Sequence, residues 1–502
     1  MSLIDTLAPL RAHGGLRTTG LDDATVLDFA ARDPQLGEAI AAAAAEYASV
    51  RAEFPELLEL DEDAQRAKVQ EGFVNFYSQD NANPYVALAA RGPWIVTLKG
   101  AVLYDTGGYG MLGLGHAPAA VIAAMARPQA MANIMTPHVA QLRFSNAMRR
   151  EIGQTRASKD GGGCPYAAFM CLNSGSESVS LASRIVDANA KTQTDPGARH
   201  AGKTIKRLVV KGAFHGRTER PALYSDSTRK TYLQHLASFR GEDSVIAVPP
   251  YDIDALRKVF AEADANGWFI EAMFLEPVMG EGDPGRSVPV DFYNAARELT
   301  RAHGSLLLVD SIQAGLRATG YLSIVDYPGF EGIEAPDMET YSKALNAGQY
   351  PLSVLAVTEH AASLYKRGLY GNTMTANPRA LDVACTVLAQ LTPALRENIR
   401  ARGRQALALL EALKAELGGP ITKVQGTGLL FSCELTREFK GYGTGSTEEW
   451  LREHGIGVIH GGENSLRFTP HFAITEDELK LVVAMVKRAI LEGPRVRQPA
   501  AA

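Results

Sequence analysis

Four short segments of this chain bring together residue types that can handle small charged molecules. The first, Asn173-Ser174-Gly175-Ser176-Glu177-Ser178, is a turn of small residues opening onto a helical pattern, VSLASRIVDANAK. Such a turn presents backbone N–H groups at the positive end of a helix dipole, a holder for a phosphate; a plain Ser or Asn helix cap accounts for the same residues more simply. The second is Asp310, which closes the apolar run GSLLLVD. A carboxylate there can face a ligand cation, a metal or a protonated ring nitrogen, or it can cap a helix over SIQAG. The third is Lys343 in PDMETYSKALNAGQYP. A lysine partly buried beside a ligand loses proton affinity and becomes a nucleophile towards carbonyls, although most lysines are solvated surface groups. The fourth is Gly212-Ala213-Phe214-His215-Gly216-Arg217-Thr218, where glycines bracket an aromatic ring, an imidazole and a guanidinium. These supply ring stacking, a polar contact and a fork for a carboxylate, with a satisfied structural histidine as the plainer account of His215.

Each segment follows a compact apolar run, and that placement is what makes the set informative. From about Cys164 to Val357 such runs alternate with helical stretches; Leu208–Val210, Ala272–Leu275, Leu306–Val309 and Leu352–Val357 read as buried strands. The alternation predicts an α/β fold with a mainly parallel sheet flanked by helices, in which ligands bind beyond the carboxyl ends of the strands. Residues 1 to about 75 read as helices, an extra helical cap or an oligomer contact. Trp94–Leu98 and Val102–Tyr104 read as a hairpin. After about residue 380 come long helices, then strands in GLLFSCEL and SLRFTPHF, then a last helix from about Glu476, a smaller α+β domain; VRQPAAA reads as a frayed end.

Composition narrows the classes. The 502 residues are 46% hydrophobic and 21% charged, which suits a globular protein and allows two large units or about three ordinary ones. A net charge of -5, from 51 basic against 56 acidic residues, argues against a nucleic-acid partner. No run approaches the length of a membrane span, and MSLIDTLAPLRAHGG lacks the layout of a secretory signal, so the cytoplasm is the expected location. Cys164, Cys171, Cys385 and Cys433 form no C-x-x-C pair and read as buried thiols in a reducing compartment. The eleven histidines fall in no zinc-type spacing, so no metal is expected. Neither G-x-G-x-x-G after a strand nor G-x-x-x-x-G-K-(S/T) occurs.

Taken in order, the segments resemble the class III (ω-amino acid) aminotransferases, a branch of the fold-type-I pyridoxal-phosphate enzymes. The likeness runs from about Asn83 to about Gly493 and rests on NSGSES, GAFHGRT, LEPVMGEG, LLLVDSIQAGLRATG, YSKALNAGQYP, GNTMTANP and SLRFTP. It implies a large cofactor-binding domain over 131–385 and a smaller domain from 76–130 and 386–493. Residues 1–75 would be a helical extension and 494–502 a tail. By resemblance Lys343 is the Schiff-base lysine and the proton shuttle, and Asp310 keeps the pyridine nitrogen protonated. Gln313 bonds the phenolic oxygen, and Phe214 stacks on the ring with His215 beside it. Gly175 and Ser176 hold the phosphate together with Thr373, which in this family usually arrives from the partner subunit. A homodimer with shared active sites follows.

On the substrate side, the likeness implies that Tyr109 faces the substrate and that Arg467 grips the α-carboxylate of glutamate and 2-oxoglutarate. Glu281 matches an acidic residue that pairs with that arginine, and Arg217 one that takes a carboxylate far from the reacting amine. The chain departs from the family at three places: Asp310-Ser311-Ile312-Gln313 where D-E-(I/V)-Q is usual, Met279 where glutamine is common, and Thr375-Ala376 where a double glycine is common. None removes a residue the cofactor chemistry needs. The implied activity is transfer of the terminal amine of a 4-aminobutyrate-, ornithine- or lysine-like donor to 2-oxoglutarate. Alternatives are a racemase, aminomutase, decarboxylase or lyase of the same family, and a catalytically silent scaffold paralogue.

Overall fold

In the computed structural model, residues 2–13, 15–77, 81–130, 133–156 and 163–496 are described. The chain divides into two compact units. One comprises 1–119, 401–425 and 429–502, the other 120–400 and 426–428.

The first unit opens with helices Leu3–Arg11, Asp23–Ala30, Pro34–Glu53, Pro55–Glu59 and Glu62–Val69. Ser2, Asp22, Asp33 and Asp61 cap four of them through side-chain oxygens, and Pro34 and Pro55 stand where a missing N–H costs nothing. The helices are an integral layer of their unit. The Trp94 indole donates to Asp33 at 2.7 Å, and the buried Lys99 ammonium donates to the carbonyls of His13 (2.7 Å) and Leu58 (3.0 Å). Strands β1 (Ala87–Arg91), β2 (Trp94–Thr97) and β3 (Val102–Asp105) follow as an antiparallel meander. The β2–β3 hairpin has Trp94 opposite Tyr104 and turns at Gly100, whose φ of +73° is open to glycine at little cost.

The second unit holds β4 (Ala168–Leu172), β5 (Thr204–Val210), β6 (Val245–Val248), β7 (Trp268–Leu275), β8 (Leu306–Asp310), β9 (Met338–Tyr341) and β10 (Ser353–Val357) in one sheet, ordered β4-β10-β9-β8-β7-β5-β6. Pairing is parallel from β9 to β6, while β10 runs antiparallel to both β9 and β4. The reversal follows from the chain between β9 and β10, which is too short to carry a crossover helix. Strands β8, β9 and β10 are buried along their whole length; β8 and β10 accordingly read as compact apolar runs, whereas β9 carries Glu339 and Thr340 inside. Helix Gly175–Thr194 lays Val179, Ala182, Ile185 and Val186 on this sheet, against Leu172, Val209, Phe274 and Leu308.

Beyond helix Pro393–Leu417, β11 (Ile421–Thr427), β12 (Leu430–Leu435), β14 (Ile459–Gly461) and β15 (Ser465–Phe468) form a sheet ordered β11-β12-β15-β14, and the two-residue β13 (Ile456–Gly457) joins β3 in parallel. The last helix, Glu476–Glu492, starts in a capping box of Thr475 and Glu478. Among the described residues no helix is long and apolar enough to cross a membrane. Of the expected frayed end, residues 497–502 lie outside the described residues. Cys433 is buried and the other three cysteines only partly so.

Candidate active site

The carboxyl ends of β5, β7, β8 and β9, with the turn after β4, bring most of the singled-out residues of the second unit to one edge of its sheet. Asp310 ends β8 directly opposite Thr340 of β9 and is 5% exposed. One carboxylate oxygen lies 2.9 Å from Nδ1 of the buried His215; the other accepts from the Thr340 hydroxyl at 3.1 Å and from the Ile312 amide at 3.2 Å. No helix follows Asp310; Ser311 to Gly320 is a series of turns, so the helix-cap account of this aspartate falls away and only the local bond to Ile312 remains. His215 in turn packs edge-on against Phe274 at 5.7 Å.

Lys343 begins a short 3-10 turn just after β9 with a φ of +46°, a conformation costing an L-residue about 1–2 kcal/mol. Its ammonium donates to Oε1 of Gln313 at 3.2 Å. Gln313 Nε2 and His215 Nε2 are buried, and neither has a hydrogen-bond partner among the described residues. Gly280 walls Gln313 on one side: a Cβ there would lie 2.4 Å from its Oε1.

Helix Gly175–Thr194 is capped by Ser174 in a box with Glu177, so the capping account holds for Ser174. The amides of Gly175 and Ser176 belong to the first turn, where no intrahelical acceptor exists. Gly216, with φ +108°, presses against this turn, and a Cβ on it would lie 2.5 Å from the Ser176 hydroxyl. The Arg217 guanidinium stands 5.2 Å from the centre of the Phe214 ring. Thr373 is exposed, and its carbonyl accepts from Asn133 at 2.6 Å. Its neighbour Asn372 donates to Glu177 at 2.8 Å, tying this segment to the start of the same helix.

Glu276, at the end of β7, escaped the sequence reading although LEPVMGEG contains it. Its two oxygens accept from the Phe214 amide (3.1 Å) and the Gly280 amide (2.9 Å), joining two loops of the site. Burial pushes its pKa up to about 7; His215 opposes the shift and Asp310 adds to it. The signal available was an acidic residue directly ending an apolar strand, the same one that exposed Asp310. Glu281 lies close by in sequence and accepts from Ser227 at 3.4 Å.

Tyr109 and Arg467 belong to the first unit. Arg467 is buried on β15, opposite Ser432 and Ile459, and its guanidinium stands 5.8 Å from the Tyr109 ring centre. Tyr77, also absent from the sequence reading, stacks on Tyr109 with centroids 6.4 Å apart, and both line a cavity of about 420 Å³ with Arg66, Asn75 and Tyr85.

Known proteins bear on this arrangement. The family model described as "Aminotransferase class-III" matches residues 76–490. The acetylornithine aminotransferase of Xanthomonas campestris pv. campestris is 31% identical over 325 residues, 64% of this chain and 74% of the relative. The putrescine aminotransferase of Pectobacterium atrosepticum is 29% identical over 84% of this chain and 86% of its own. The crystal structure of ornithine aminotransferase from Toxoplasma gondii superposes with a TM-score of 0.72 at 24% identity, covering 88% of this chain and 98% of that one. This chain belongs to the class III aminotransferases, the enzymes that work with pyridoxal 5′-phosphate.

Proposed function

We propose that the chain is an ω-aminotransferase, moving the terminal amine of an ω-amino acid or diamine (4-aminobutyrate-, ornithine- or lysine-like) to 2-oxoglutarate, as a cytoplasmic homodimer with shared active sites. The observation that carries the reading is the buried Asp310–His215 pair set beside the Lys343–Gln313 contact at the strand ends. The curated relatives, named for acetylornithine, ornithine and putrescine, support the donor class.

The residues fit the cofactor. Gln313 Nε2 is a buried donor awaiting an acceptor, and Gly216 against Ser176 makes a cradle that a side chain would fill. Gly175 and Ser176, with a Thr373 hydroxyl from a second copy, would hold the phosphate, Gln313 would donate to the phenolic oxygen, and Phe214 would pack on the ring. Asp310, shielded from water and oriented by His215, Thr340 and the Ile312 amide, would face the ring nitrogen and favour its protonated form. When bound, the cofactor supplies an electron sink for the pair released at the donor carbon. Lys343 would be its point of covalent attachment, and its Nζ, when free, would take the proton from the carbon bearing the donor amine and return it at the other end of the transfer. Arg467 and Arg217 take substrate carboxylates, with Tyr109 and Glu281 completing the substrate-facing set. The segment 131–385 serves as the cofactor domain, with 76–130 and 386–493 as the smaller one. Met135, Leu142 and Met374 are exposed apolar side chains of the kind a second copy covers.

Absorption of the cofactor-loaded protein tests this. An ω-amine or glutamate is expected to bleach the visible band and 2-oxoglutarate to restore it, with Lys343→Ala inert in turnover. A band that no amine changes would instead favour a family chemistry without amine transfer.

A further inference from the structure

Besides Asp310 and Glu276, another buried carboxyl group lies beneath the strand ends, and the chemistry above does not use it. Glu339, in the middle of β9, has no exposed surface. Its oxygens accept from the Ser311 hydroxyl (2.5 Å), the Tyr166 hydroxyl (2.7 Å), the Ile324 amide (2.9 Å) and the Ser323 hydroxyl. Burial pushes the pKa of this carboxyl up against the pull of those four hydrogen bonds, and removing one partner would leave a buried polar group unsatisfied. Ser311 is the position where this chain departs from D-E-(I/V)-Q. A carboxylate at 311 would meet Glu339 in a dry interior, whereas the hydroxyl completes it.

Ser311 directly follows Asp310 and stands two residues before Gln313, while Glu339 stands four residues before Lys343. Side chains alternate across a strand, so Thr340 bonds Asp310 on one face of the β8–β9 pair and Glu339 takes Ser311 on the other. The two bonds fasten the end of β8 to β9 from both sides. Downstream, Lys343 occupies a strained backbone conformation that persists only if its surroundings hold it.

We propose that Glu339 is a positioning residue: through Ser311 it fixes the β8 end that carries Asp310 and Gln313, and through β9 it fixes the turn that carries Lys343. The proposal rests on the roles given above to those three residues.

Glu339→Gln keeps the shape but puts an amide donor where one oxygen accepts, and Ser311→Ala removes one donor and leaves the carboxyl group, so it serves if the first variant does not fold. For Glu339→Gln, kcat is expected to fall about tenfold with the donor KM within about twofold, since only the alignment of reacting groups changes. Cofactor affinity is expected to fall about tenfold, and the pH at which the visible band of the loaded enzyme changes is expected to move, which a purely structural residue would not cause. Ser311→Ala moves the same quantities in the same direction by about threefold. Folded variants with kcat, cofactor affinity and the pH of the spectral change all at parental values would overturn the proposal, provided Lys343→Ala is inactive. An active Lys343→Ala would instead remove the functional reading on which it stands.

Discussion

Gly280→Ala isolates one contact of the site. Gly280 does not have a positive φ, so alanine is acceptable to the backbone, and its N–H still reaches Glu276. The added methyl carbon, however, lands 2.4 Å from Gln313 Oε1 and 2.7 Å from its Cδ, against an ordinary carbon–oxygen contact of about 3.3 Å. The amide therefore has to move by about 1 Å, and the oxygen that moves is the one to which the Lys343 ammonium donates at 3.2 Å. Overpacking of this size costs about 1–3 kcal/mol of stability, while a displacement of about 1 Å among reacting groups costs on the order of a hundredfold in rate. Steady-state kinetics with the best donor, alongside thermal melting, should show kcat/KM down by about two orders of magnitude in a protein that still melts cooperatively. Gly332→Ala is the control, because nothing lies within 4 Å of its Cβ position, and it should leave both quantities unchanged. A Gly280→Ala enzyme with parental kcat/KM and an unaltered visible band would refute the placement of Gln313 beside the reacting lysine.

Two further outcomes are expected. Removing the Arg467 guanidinium by Arg467→Ala forfeits a charge-assisted grip, so KM for glutamate should rise on the order of ten- to a hundredfold while KM for a monoamine donor changes little; equal changes for both would contradict its role. The second concerns pH and lies away from the site. His303 is buried beside His200 and Phe269, accepts from the Ile270 amide through Nε2 at 3.2 Å, and burial lowers its pKa from 6.5 to about 4. Between those values the unfolded chain binds a proton that the folded chain refuses, so stability is full above pH 6.5 and is lost as the pH falls towards 4. Thermal melting from pH 7 to 4 should show that slope and a shallower one for His303→Gln; identical slopes would discard the assignment.

Much of this arrangement was legible because burial on both faces of a sheet leaves an unmistakable trace. Leu306–Val309 and Ala272–Leu275 are apolar without interruption, and the first polar residue after such a run, as with Asp310, marks the edge where ligands bind. Lys343 became conspicuous in the company of that aspartate and the phosphate-type turn. The remainder was hidden for physical reasons. The half-exposed β1, ALAAR, and the two-residue β13 have no strand signal, since their pairing partners create them. The direction of β10 depends on the length of the return from β9 and not on its own residues. Glu339 looks like an ordinary acid in sequence; it is satisfied by Tyr166, 173 positions away, and by Ser323, 16 away, and only folding brings these together. Lys99 was equally opaque, because the carbonyls that receive it come from an N-terminal segment read only as an extra layer.

The central claim is that Lys343 carries the cofactor. Borohydride reduction of the loaded enzyme, followed by digestion and mass spectrometry, tests it most directly. The account predicts a single pyridoxyl phosphate adduct on the peptide containing Lys343, absent after prior exposure to an amine donor. Label on another lysine, or none in a protein that binds the cofactor, would contradict it.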